Sequence, residues 1–315
     1  MNRLKANRSG SSIWTRLWNM ERSRILFLLV FCLPTFSLYF VFCIYPIFES
    51  IATSFYDWSG FASRKFIGWK NYQTILNDPV FYKAIKNDFF YVLGKEILIV
   101  PLTILFAVAV TRLRLKKVEV SAYRFIFYIP NVLSAIIIGI MWTFVYDPYC
   151  GLLNGLLEVL NLSHLSPING WMVDYPMQCI IVVASWCGIG TYMIILVSAI
   201  NSIPKEIYEA ADMDGAGEWT QLWKITIPAA WGQVKFIVTS IIFQTLGNYG
   251  LVLAMNGGGG VDGSSMVMGL YVYNHGIDST VPAVGYANAA AVLLMIISGT
   301  VTVIVNGLLS RKERD

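Results

Sequence analysis

The chain has 315 residues, of which 56% are hydrophobic and only 13% charged. Soluble domains carry roughly 25% charged residues, so an ordinary cytosolic enzyme, a disordered protein and a nucleic-acid-binding domain are excluded. The formal net charge is only +4, and where the charges sit says more than their sum. Cys32, Cys43, Cys150, Cys179 and Cys187 show no C-x-x-C spacing, so neither a disulfide framework nor a zinc site is indicated.

A bilayer core about 30 Å thick takes about 20 apolar residues of helix. Residues 1–24 form a basic arm in which Ile13, Trp14, Leu17 and Trp18 are spaced as the apolar stripe of an interfacial helix. The first span is 25–48. It is too long for a signal-peptide core and ends in no small-x-small site, so it reads as an uncleaved anchor. An extracytoplasmic loop is expected over 49–86 and a core over 87–309, followed by a short tail, 310–315. The core holds five further spans. The second covers about 97–110, extended backwards through 89–94; the others are 125–146, 177–200, 236–255 and 286–309. Lys95 and Glu96 read as the outer end of the second span, with Lys95 snorkelling to the interface. Gly94, Pro101 and Pro130 are expected to shape their helices. The expected fold is an all-α polytopic membrane protein with six transmembrane helices.

Lysine and arginine bias sets orientation. With the N-terminus inside, the inner segments carry Arg3, Lys5, Arg8, Arg16, Arg22 and Arg24, then Arg112, Arg114, Lys116, Lys117 and Arg124. Lys205, Lys224, Lys235, Arg311, Lys312 and Arg314 complete that set. The outer side holds only Arg64, Lys65, Lys70, Lys83, Lys86 and Lys95 of the 23 basic residues. Both termini are therefore expected in the cytoplasm.

The cytoplasmic loop 201–232 runs against this bias, with Glu206, Glu209, Asp212, Asp214 and Glu218 facing two lysines. Pro204 suits a first helical turn, and Lys205 to Met213 are mostly good helix formers. Gly215 and Gly217 stop the helix, Glu218 to Ile227 restart it, and Pro228 marks its end. Ile207, Ala210, Ala211 and Asp214 fall at i, i+3, i+4 and i+7, giving a face of small residues with Glu209 at its rim. Such an acidic, closely approachable face points to a protein partner.

Within this loop, Glu209-Ala210-Ala211, Gly215 and Ile225-Thr226-Ile227-Pro228 resemble the hallmark of inner-membrane permeases of binding-protein-dependent ABC importers. That hallmark is Glu-Ala-Ala, three residues, Gly, nine residues, Ile-x-Leu-Pro, and Ile227 replaces its Leu. The resemblance covers most of the chain and is strongest to the carbohydrate-uptake branch, in the class of the maltose and glycerol-phosphate first permease subunits. Phe66-Ile67-Gly68-Trp69-Lys70-Asn71-Tyr72 is similar to that class's outer-loop Phe-x-Gly-x-x-Asn-Tyr. Asn87-Asp88-Phe89 stands where Asn-Thr-hydrophobic is usual. Phe127-Tyr128-Ile129-Pro130 with Trp142 resembles the third-span pattern. Gly257-Gly258-Gly259 resembles a Thr-Gly-Gly-Gly-Pro loop, with Asn256 for the Thr and Gly260 for the Pro.

The resemblance implies the type I ABC importer permease fold in a bacterial or archaeal inner membrane. It implies import of a carbohydrate or polyol derivative by alternating access, with a second permease, two ATPase subunits and an extracytoplasmic solute-binding protein as partners. Glu209, Ala210, Ala211, Asp214 and Gly215 would form the helix that couples to the ATPase. No cofactor is expected on this chain. ATP and Mg would be used by the ATPase, since no G-x-x-x-x-G-K-[S/T] occurs here. Gly257–Gly260 lacks the Lys-Ser or Lys-Thr of a phosphate loop and reads as a flexible turn or binding-protein contact.

Two polar stripes lie inside spans. Gly188, Thr191 and Tyr192 share one helix face beside Trp186, and Gln244, Thr245, Asn248 and Tyr249 share another. Amides, hydroxyls and aromatic faces suit a neutral sugar, and the matching positions of Gly188, Thr191, Thr245 and Asn248 line the path in maltose-type permeases. The alternative is that these residues only hold helices together. Neither stripe contains a charge, which argues against an ionic substrate. An ion-coupled secondary transporter would need an acid or Arg buried near a span midpoint, and Glu96 alone is a candidate. A scaffold or sensor would leave the 201–232 loop unexplained. His164 and His275 fall in outer segments, and no catalytic or metal constellation stands out.

Overall fold

The computed structural model describes residues 24–61, 63–112 and 117–311. The Ile13–Trp18 stripe lies outside them. The chain divides after Ala52 into two units. The first is essentially helix α1 (Arg24–Thr53), 30 residues long and so about 45 Å at 1.5 Å per residue. It contains two π-helical turns, Leu28–Cys32 and Phe40–Ile44. Each ends two residues before a proline, Pro34 and Pro46. A third, Leu222–Thr226, stands in the same relation to Pro228. The proline ring crowds the carbonyl four residues back and offers no N–H to it. The preceding turn widens to i→i−5 bonding, as in Leu33 N–H to Leu28 O.

The second unit opens with a two-residue antiparallel ladder, β1 (Tyr56–Asp57) with β2 (Lys65–Phe66), pairing Tyr56 with Phe66 and Asp57 with Lys65. Leaving single turns aside, the helices that follow are α2 (Lys70–Leu76), α3 (Pro79–Arg112), α4 (Lys117–Val132), α5 (Ala135–Val145) and α6 (Leu152–Val159). Then come α7 (Pro176–Asn201), α8 (Lys205–Met213), α9 (Glu218–Ala229), α10 (Trp231–Leu246), α11 (Gly250–Asn256), α12 (Met268–Gly276) and α13 (Val284–Arg311).

Among the described residues α1, α3, α7 and α13 are long and apolar enough to cross a membrane, and two bent pairs bring the number to six if each pair is one span. The third span is therefore not a straight helix. Its halves α4 and α5 meet at 98°. Pro130 weakens the last turn of α4, and Ser134 leaves helical geometry at φ −61°, ψ 137°. The expected fifth span is interrupted as well: α10 stops at Leu246, and residues 247–249 separate it from α11. Asn248 and Tyr249 thus sit at a break instead of on a helix face. A second bend, of 73°, separates α9 from α10 at Ala230.

Helix α7 is the spine of this unit. Ile180, Val183, Met193, Leu196 and Val197 are buried along it, and it packs on both α3 and α4. Close approach explains Gly190: a Cβ there would stand 2.1 Å from the Phe127 carbonyl oxygen of α4. One core cluster gathers Ile138, Val183, Leu270, Tyr271 and Ala290, and another gathers Ile99, Met193, Leu196, Ile237 and Ile241.

Two of the motifs prove to be structural clasps. Asn71 Nδ2 donates to Ser54 O (2.8 Å) and Tyr56 O (3.0 Å), and the Tyr72 and Ser54 hydroxyls bond at 2.7 Å. Gly68 turns the chain before them at φ +59°. The glycine loop after α11 is likewise held. Lys83 donates to Asp262 O, Asn87 to Gly263 O and Met266 O, and Met268 N–H to the Asp88 carboxylate.

Candidate functional site

A polar cavity of about 210 Å³ opens where the middle of α3, the middle of α7 and the end of α10 converge, and Asn131 and Ala135 at the α4–α5 bend also line it. Gly188, Thr191 and Tyr192 line it from α7, and Gln244 and Asn248 line it from α10 and the break after it. The two stripes therefore meet in one site. The Thr191 hydroxyl is buried there without a protein partner, which leaves its hydrogen-bonding capacity to a ligand or water. Gly188 admits Ile99, whose Cδ1 would lie 3.1 Å from a Cβ at that position.

Two expected residues behave differently. Thr245 is fully buried. Its hydroxyl donates to Ile241 O (2.6 Å) and accepts from Lys95 Nζ (2.9 Å), so it supports the wall from behind. Tyr249 turns to a neighbouring recess shared with Gln244 and Asn248, where its ring stacks on Tyr273 at 5.1 Å.

The sequence reading missed Tyr91, Lys95 and Asn131, all of which line the cavity. Lys95 corrects the expectation of a snorkelling residue at the outer end of a span. It stands at the midpoint of α3 and faces the same cavity as Gly188, itself near the midpoint of the 26-residue α7. Its ammonium lies 5.4 Å from the Tyr91 ring, a cation–π distance. The signal was a charged pair, Lys95-Glu96, inside an apolar run. Asn131 beside Pro130 marks the α4–α5 bend and donates to Cys187 O at 3.3 Å.

At the α8–α9 loop, Gly215 adopts φ +73° with open space around it, a conformation that favours glycine. Pro204 stands just before α8, with φ −57° and ψ 135°, instead of inside its first turn. Glu209, Ala210, Asp214 and Gly215 are exposed, and Ala211 is half-buried. The turn is fastened from below by Gln221, 3% exposed, which donates to Asp212 Oδ1 (2.6 Å) and Ala216 O (2.8 Å). Tyr208 and Thr226 hydroxyls bond at 3.1 Å. Beside the acidic face, Ile207, Met213, Trp219 and Trp223 are exposed, and the two indoles meet edge-on at 5.8 Å.

Residues 99–315 match the model of the binding-protein-dependent transport system inner membrane component family. The chain belongs to this family. It is 33% identical over 269 residues to the probable ABC transporter permease protein YurN of Bacillus subtilis, covering 83% of this chain and 89% of that protein. It is 31% identical over 280 residues to the diacetylchitobiose uptake system permease protein NgcF of Streptomyces coelicolor, covering 86% and 78%. The fold is that of a chain in a bacterial ABC transporter involved in alginate import. The TM-score is 0.76 at 21% identity, covering 94% of this permease and 99% of that chain. The protein is a multi-pass membrane permease with the type I importer fold, and its relatives are transport subunits, not enzymes.

Proposed function

We propose that this permease carries a carbohydrate into the cytoplasm as one half of an ATP-driven importer, with the polar cavity as part of its path. The observation that carries the reading is the convergence of Thr191, Tyr192, Gln244 and Asn248 on one cavity at mid-helix depth. Amide, hydroxyl and aromatic groups there match the donors, acceptors and C–H faces of a sugar. Relatives named for diacetylchitobiose and lactose uptake point to the same class. A volume of about 210 Å³ falls below that of pockets enclosing whole ligands, roughly 300–1,000 Å³. This fits one wall of a path completed by a second permease.

The exposed Glu209, Ala210, Asp214 and Gly215, with half-buried Ala211, form the docking face for an ATPase subunit, and a second copy of the ATPase serves the partner permease. Closure of the two ATPases on ATP and Mg draws the α8 helices together and opens the path outward. A solute-binding protein delivers the sugar on the outer side. ATP hydrolysis belongs to the partners, because this chain carries no nucleotide-binding motif. The basic bias supports cytoplasmic N- and C-termini.

The test is ATP-dependent accumulation of labelled di- and trisaccharides in proteoliposomes holding the permease with its partner permease, ATPase and binding protein. The expected result is uptake of at least one saccharide that stops without ATP. Uptake driven by an ion gradient alone, or none of any saccharide by an assembled complex, would overturn the reading.

A further inference from the structure

We propose that Lys95 makes this cavity a receptor for an anionic group, so that the transported carbohydrate is an acidic saccharide. The inference rests on the carbohydrate reading above and names its substrate class.

A lysine at membrane depth is costly and marks a pathway when it faces a cavity. Lys95 carries three N–H donors. One goes to Thr245, whose own hydroxyl hydrogen is committed to Ile241 O, so that threonine accepts from the ammonium. This bond and the Tyr91 ring hold the ammonium against the cavity wall, with donors left for an occupant. Among the described residues lining the cavity, Lys95 is the one charged group, and no carboxylate faces it. Glu96, next on the chain, is close enough to interact electrostatically with the ammonium, but it projects about 100° round the helix and does not line the cavity, so it leaves the cavity-facing donors to an occupant. The remaining lining polar groups, Asn131, Thr191, Tyr192, Gln244 and Asn248, suit the hydroxyls of the same molecule. A cation with donors left over attracts an anionic group more strongly than a hydroxyl, because hydrogen bonds between charged partners exceed neutral ones.

The test is direct binding of two probes to the purified complex containing the full-length permease, without the binding protein, by calorimetry. One probe is trigalacturonate; the other is its carboxyl-reduced neutral counterpart. Wild type is expected to bind the acidic probe at least about tenfold tighter in low salt, the difference between a charged and a neutral hydrogen bond. That ratio should shrink as salt rises. K95M should abolish the preference, and K95R should retain it. Equal or tighter binding of the neutral probe by wild type overturns the proposal while leaving the carbohydrate reading intact. A preference that survives in folded K95M overturns it too. Failure of both probes to bind the wild-type complex overturns this proposal, and the uptake test above decides the carbohydrate reading separately. Should K95M not fold, the wild-type ratio with its salt dependence and the K95R result still decide.

Discussion

In the α8–α9 loop the tyrosine–threonine bond that braces the turn links residues 18 positions apart, and Gln221 reaches back only 5 and 9. In the cavity, Lys95 bonds Thr245 across 150 positions. The first region is shaped by its own short stretch of chain. The second exists only where three distant helices meet. A local device keeps its form, whereas a cavity between helices changes whenever the helices move. That contrast suits a coupling element and a transport path respectively.

Reversing the charge on the loop tests the contrast most severely. Glu209→Lys should lower ATP-driven uptake by at least about tenfold through like-charge repulsion at the docking face, with unchanged membrane insertion and an intact cavity. Uptake in proteoliposomes and copurification of the ATPase would measure it, and wild-type transport would break the docking assignment. Next in size is Asn248→Leu at the cavity. Leaving a site without a hydrogen bond it was built to make should weaken saccharide binding by about tenfold, while ATPase copurification stays normal. Unaltered affinity for every saccharide bound by wild type would reduce Asn248 to helix contact.

Removing the fastening under the loop has a smaller effect. Gln221→Leu leaves the Ala216 carbonyl without that donor and should cost about 1–3 kcal/mol locally. Faster hydrogen exchange confined to residues 208–226, with several-fold weaker uptake, would show it. Exchange spreading into α3 and α7 would contradict the loop's independence. The smallest effect is expected at Asp147, in the loop between α5 and α6. Its carboxylate accepts from the Tyr149 and Cys150 backbone N–H groups and from Cys150 Sγ, and these bonds hold it below the usual carboxylate range. A lowered value means that the turn's added stability is present above the unfolded-state value and is lost as pH falls through the folded one. Exchange at Tyr149 and Cys150 should therefore quicken over that acidic window and not in Asp147→Asn. Identical profiles in the two proteins would remove the carboxylate from the account.

Which parts were readable in the sequence follows the same division. The spans of α1, α7 and α13 were legible because a continuous apolar run needs no tertiary information. The helix–glycine–helix loop was legible because Gly215 and the acidic positions lie together in the chain. The bends were not, although Pro130 sat in plain view. Pro101 lies inside the uninterrupted α3, while Pro130 precedes a 98° turn; proline weakens a helix, but its neighbours decide whether the chain turns. Thr245 and Tyr249 fell on the right stripe, yet the break at residues 247–249 sent Tyr249 to Tyr273 and left Thr245 behind the wall.

Composition and basic bias alone determined that this protein lives in lipid, and the spacing of Glu209, Ala210, Ala211 and Gly215 alone determined its kin. Those properties are sums or short-range patterns along one chain. Only the tertiary structure decided what Lys95 does. As one base among the 23 it looked like an interfacial anchor. Packing of α3 against α7 and α10 gives it the Thr245 hydroxyl and a polar cavity, because a side chain's surroundings depend on which distant helix faces it.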